Sequence, residues 1–153
     1  MIQNPDEIAQ MLSVFHDGDM AAFRPDGLDL IVEIEIPYLT NRIQPGFKFF
    51  SVRFLRFRDL SFTTWPKDTG VDPWVLEGTE EVLDVAPEIL SAEAEGPIVK
   101  VICNQQNPSL PYCGGELRFV ADGARITDQA SREWSLPDLI TLAREYWDDW
   151  SKR

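Results

Sequence analysis

Histidine occurs once in this chain, at position 16, and cysteine only twice, at 103 and 113. A lone C-x9-C pair is not the paired knuckle of a zinc site, and its missing ligands would have to be His16 or carboxylates. The two cysteines are also too few for the disulfide framework of a small secreted domain, so reduced, semi-buried thiols are expected. Basic residues are scarce as well: 14 stand against 26 acidic ones, for a formal net charge of -12. Such a charge repels nucleic-acid phosphate and anionic lipid surfaces, which excludes both as expected partners; it serves plain solubility or favours a basic protein partner. No run reaches the ~20 apolar residues of a membrane helix. Met1–Glu7 has neither the basic start nor the apolar run of a signal peptide, so the cytoplasm is the expected compartment. Nucleophile elbow, P-loop, dinucleotide fingerprint and zincin helix are all missing. No catalytic residue, cofactor or metal site is assigned.

What is present is an ordinary globular composition over 153 residues, enough for a single domain, 1–153, with its own core. Asn4-Pro5-Asp6-Glu7 opens a helix, and Ile8, Met11, Leu12 and Phe15 follow on one face. Met20–Arg24 and Leu28–Ile36 read as a hairpin about Pro25-Asp26-Gly27. In its second strand Leu28, Leu30, Val32, Ile34 and Ile36 form the buried face. Pro37 ends that strand and Tyr38–Gly46 reads as a loop.

Phe47–Phe57 carries apolar groups on both faces and predicts a central strand covered on both sides, with room for a bulge. Leu60–Trp65 is a shorter strand, Pro66–Pro73 a loop, and Trp74–Glu77 a brief strand. Glu88–Ala94 with Ile98–Asn104, and Glu116–Ala121 with Ala124–Thr127 about Asp122-Gly123, predict two further hairpins. Asn104–Pro111 is a loop. Ser135-Leu136-Pro137-Asp138 starts a last helix, whose stripe from Leu139 to Trp150 is broad enough to pack across a sheet. The predicted class is α+β, mainly β. It is an antiparallel curved sheet or sandwich of about seven to nine strands, with a short N-terminal helix and a C-terminal amphipathic helix.

Three features compete for function. His16, Asp17 and Asp19 form a histidine–carboxylate cluster that could line a pocket, although a structural histidine bonded to backbone carbonyls explains it more simply. Residues 68–99 contain nine acidic side chains and no Lys or Arg, while 47–67 contain Lys48, Arg53, Arg56, Arg58 and Lys67 against Asp59 alone. Cross-strand ion pairing between the two segments is the plain expectation. The functional alternative is an acidic surface with aromatic anchors, built from Trp65, Asp68, Asp72, Trp74, Glu77, Glu80 and Glu81. Carboxylate pairs such as Glu33/Glu35 and Glu93/Glu95 are read as solvated strand faces.

A short amphipathic helix, then Phe15-His16-Asp17, then strand, turn and strand resembles the opening of small β-rich bacterial proteins grouped with polymorphic-toxin immunity proteins. Those families have a small side chain and then an acidic residue after the aspartate, where Gly18-Asp19 stand here. The resemblance implies binding and neutralising a toxin through a surface, and carries over no catalytic residue. The leading expectation is thus a non-enzymatic acidic binding module for a basic partner. The alternative is a small-molecule-binding or hydrolytic protein, its pocket lying in the curved sheet near His16.

Overall fold

The side chain of Asn4 accepts the Glu7 amide at 2.9 Å and Pro5 fills the first helical position, so helix α1 runs Pro5–Val14 as its sequence predicts. In the computed structural model, which describes residues 1–153, α1 is the first of four helices and is followed by ten strands. The strands are β1 (Asp19–Asp26), β2 (Asp29–Glu35), β3 (Phe49–Leu55), β4 (Arg58–Pro66), β5 (Val75–Leu76), β6 (Pro87–Glu95), β7 (Ile98–Gln105), β8 (Tyr112–Val120), β9 (Gly123–Thr127) and β10 (Glu133–Trp134). Helices α2 (Pro37–Ile43), α3 (Thr79–Asp84) and α4 (Leu136–Ser151) complete the chain. The class is α+β and mainly β, as expected. All strands join one antiparallel open sheet in the order β10-β9-β3-β2-β1-β6-β7-β8-β4-β5.

The sheet curls onto itself. Phe54 of β3 and Phe119 of β8 lie with ring centroids 5.0 Å apart, although four strands separate theirs in the sheet order. Helix α1 packs on β6 and β7, burying Ile8, Met11, Leu12 and Phe15. Where Met20, Leu30, Phe54, Leu117 and Phe119 meet, only about 10 Å³ of free space remains, no more than one water would need.

Two corners let the chain cross from one side of the curl to the other. Arg56 takes φ 47° between β3 and β4, and β8 passes to β9 through Ala121-Asp122. The corners are tied together: the Asp122 amide donates to Leu55 O at 2.8 Å, and Arg58 Nη1 reaches the Asp122 carboxylate at 3.0 Å. Asp122-Gly123 is therefore not a hairpin turn. A type I′ turn needs positive φ at both central residues, and neither residue has it. Instead β8 pairs with β7 and β4, while β9 pairs with β3 and β10.

Further differences have local causes. Tyr38–Ile43 is helical, not loop: Pro37 provides a helix start, and Leu39 and Thr40 are buried. The first hairpin turns at Gly27-Leu28, one step later than expected, which leaves Leu28 75% exposed. Strand β3 is fully buried on one face only, through Phe50, Val52 and Phe54; Phe49, Ser51, Arg53 and Leu55 on the other face are half-buried. Its pairing is regular, and the register shifts fall in β1, β4 and β6. Helix α4 starts at the predicted cap, with Ser135 accepting the Asp138 amide, but it packs on α1 and α2 rather than across the sheet. The Gly114-Gly115 pair is a close-approach site: a Cβ on Gly115 would fall 2.5 Å from the Phe62 ring.

Candidate functional site

The His16 cluster forms where α1 ends. Asp17 takes φ 68°, its amide donates to Ile89 O at 2.7 Å, and the Ile89 amide donates to Gly18 O at 2.8 Å. The chain is thus pinned to β6 on both sides of Gly18. The His16 imidazole meets the Asp17 carboxylate at 3.3 Å and stacks on Trp147, centroids 5.3 Å apart. Its side chain bonds no backbone carbonyl, contrary to the simpler expectation; it is held by the ring and the carboxylate. The Tyr38 hydroxyl donates to His16 O at 2.7 Å. Burial, with the Asp17 charge adding to it, holds that phenol above its ordinary range. Tyr38, Tyr146, Trp147 and Trp150 extend the aromatic cluster across α2 and α4 through tilted and edge-on contacts.

Asp19 points elsewhere. It pairs with Glu35 on one side and Glu88 on the other, and its Oδ1 has no hydrogen-bond partner. Burial first, then the charges of Glu88 and Glu35, push its carboxyl above the ordinary range. No cavity has His16, Asp17 or Asp19 in its wall. The interior of the curl near the phenylalanines is filled. No group of three or more His, Cys, Asp or Glu side chains is placed to hold a metal ion. The thiols differ from the expected semi-buried pair: Cys103 is buried, its pKa pushed up to about 12 by desolvation, and Cys113 is exposed.

The acidic segment lies at the other end. Strand β5 is one edge of the sheet, joined to β4 through Phe62–Leu76 and Thr63–Val75. Trp74 is fixed by both backbone ends: its amide donates to Thr64 Oγ1 at 2.8 Å, and the Thr64 amide donates to Trp74 O at 2.9 Å. The Trp74 ring meets Tyr112 edge-on at 5.7 Å. Strand alternation puts Trp65 and Thr63 on the face opposite Thr64. The two tryptophans thus sit on either side of the edge.

Exposure at this edge is large: Trp65 40%, Val71 51%, Trp74 48% and Val75 57%. These are four of the eight large apolar side chains that are exposed anywhere on the molecule. Asp68, Asp72, Glu77, Glu80, Glu81 and Asp84 belong to the same segment of chain, all exposed, and none is in an ion pair. The expected pairing with the basic segment does not form. Arg53 is taken by Asp26 at 2.6 Å and Asp29 at 3.0 Å, and Arg56 and Arg58 by Asp122.

One constellation is invisible in the linear sequence. Register brings Arg24, Arg53 and Arg125 onto the outer face of neighbouring strands, with Arg53 directly opposite Arg125. Spacing along the chain holds no sign of it; the signal is the β3–β9 pairing, which the hairpin reading of Asp122-Gly123 conceals. No helix is long and apolar enough to cross a membrane. Comparison with protein-family models, curated proteins and solved structures gave no match.

Proposed function

We propose that this protein is a non-enzymatic binding module that captures a basic partner protein, in the manner of an immunity protein, through the β5 edge and the residues Trp65–Glu81. The observation that carries the reading is the coincidence, in the one segment that forms and flanks the β5 edge, of exposed tryptophans with six exposed carboxylates that form no ion pair. Aromatic side chains provide the buried anchor of protein interfaces, and unpaired charge of one sign steers a complementary surface onto it. Two hydrogen bonds with Thr64, one through its hydroxyl and one through its amide, hold the Trp74 backbone in place before any partner arrives, which lowers the ordering cost of association.

The test is affinity capture from the source cells with wild type, Trp74→Ala and Glu80→Lys/Glu81→Lys, followed by affinity measurement on the purified partner. The expected partner is basic. Its affinity falls with added salt, and Trp74→Ala weakens it by about 2 kcal/mol or more, as for an interface hot spot. A partner that binds all three proteins equally, or polylysine binding as tightly as any captured protein, would overturn the reading.

A further inference from the structure

On the outer face of β1, β2, β3 and β9 lies an open groove of about 520 Å³, at a distance in the sheet order from the β5 edge. Arg24, Arg53 and Arg125 line it, together with Ser51 and Thr127. Three arginines line one groove in a chain of net charge -12; Asp26, Asp29 and Glu33 lie beside two of them, and Arg125 alone is without a carboxylate.

Internal pairing accounts for Arg53 but not for Arg125. Arg53 faces Arg125 directly across the β3–β9 ladder, a like-charge juxtaposition that costs stability. Asp26 and Asp29 offset it for Arg53, holding both terminal nitrogens of the guanidinium. Arg24 comes no closer than 3.9 Å to Glu33, a loose contact. Arg125 has no carboxylate partner, and its side chain is open to solvent. Two residues along, Ser51 pairs with Thr127, adding two hydroxyls to the same face. Ile31 and Leu55 supply the apolar part of the lining.

We propose that this groove binds a small organic oxyanion, a phosphate ester or carboxylate carrying a modest apolar body. Arg125 and Arg24 grip the anion. Ser51 and Thr127 donate to it, and Ile31 and Leu55 cover the apolar part. Guanidinium groups match planar or tetrahedral oxyanions through paired N–H donors, so the unpaired Arg125 is the principal contact. Beyond a Debye length of about 8 Å at physiological salt, the negative charge elsewhere on the surface is screened; within it, Asp26 and Asp29 are engaged by Arg53, and the unpaired Arg125 is the charge left for a ligand.

The experiment titrates wild type, Arg125→Gln and Arg144→Gln with inorganic phosphate and with phenyl phosphate, against chloride at equal ionic strength. Amide chemical shifts and calorimetry are the readouts. Saturable binding is expected, with shifts confined to β3, β9 and the adjoining β1 and β2, and with phenyl phosphate tighter than phosphate. Arg125→Gln should lose about tenfold or more in affinity, the scale of one charge-assisted contact, while Arg144→Gln on α4 keeps it. Without anion, Arg125→Gln should melt at the wild-type temperature or above, since it removes a repulsion. Binding that never saturates, that equals chloride, or that survives Arg125→Gln would overturn the proposal. So would an Arg125→Gln protein that is folded and clearly less stable without anion, because Arg125 would then be a structural residue.

Discussion

His16–Asp19 and Trp65–Asp84 both combine carboxylates with aromatic neighbours along the chain, but the fold engages them differently. At the first, strand pairing to β6, the Tyr38 hydroxyl and the Trp147 ring engage the backbone and the imidazole. At the second, the backbone is fixed at Thr64 and Trp74, while the rings and carboxylates are left facing solvent. A rare residue type beside acids is a conspicuous sequence feature, yet here it is used to join elements. The region with unspent surface is recognised by what it fails to pair with.

That contrast can be broken by stability measurements. Phe15→Ala, at the root of the joint, should cost about 3–5 kcal/mol in urea unfolding, because Phe15 is fully buried and packs on Phe50 at 5.2 Å. Trp74→Ala should cost no more than about 1.5 kcal/mol, its ring being half exposed. Equal losses would make the edge part of the core. A smaller effect, about 0.5–1.5 kcal/mol, is expected for His16→Ala through loss of its stack on Trp147, with capture of any partner unchanged. Were that variant as stable as wild type but unable to bind, the assignment of roles would be reversed.

The smallest effect concerns Asp19 and has a definite sign. Its folded-state carboxyl holds a proton more tightly than in the unfolded chain, so its contribution to stability is present in acid and is lost as pH rises through the raised folded-state pKa. Asp19→Asn should therefore raise the melting temperature at neutral pH. The gain should vanish below the ordinary carboxylate range. A gain that is independent of pH would point to packing instead of charge.

Local chemistry was legible where it decided the outcome locally. Asn4-Pro5 and Ser135-Leu136-Pro137 cap helices because the capping oxygen and the amide it serves lie within one turn of each other. The alternation of Leu30, Val32 and Ile34 marks a face because β2 has one buried side. Asp122-Gly123 misleads for the complementary reason. Its turn preference is worth little against the pairing of β9 with β3 and of Ala124 with Ile2, which places the residues following the corner on another part of the sheet. The acidic edge was legible as composition, and the absence of counter-ions there was not, since Arg53, Arg56 and Arg58 find carboxylates supplied by distant turns. The arginine groove depends wholly on register and so has no trace in spacing.

The paired corners at Leu55 and Asp122 also bear on how the chain reaches this state. Each commits its two strands to different neighbours, so neither corner can be rewarded by a local hairpin as it forms. Strand β3 waits for β9, and Ile2 waits for Ala124, before their backbone groups are satisfied. During synthesis the first part of the sheet must therefore remain open on one side until the last quarter of the chain has emerged. Loop closure of that length is costly in entropy before any contact repays it, which makes slow, late-closing folding the kinetic signature of this topology.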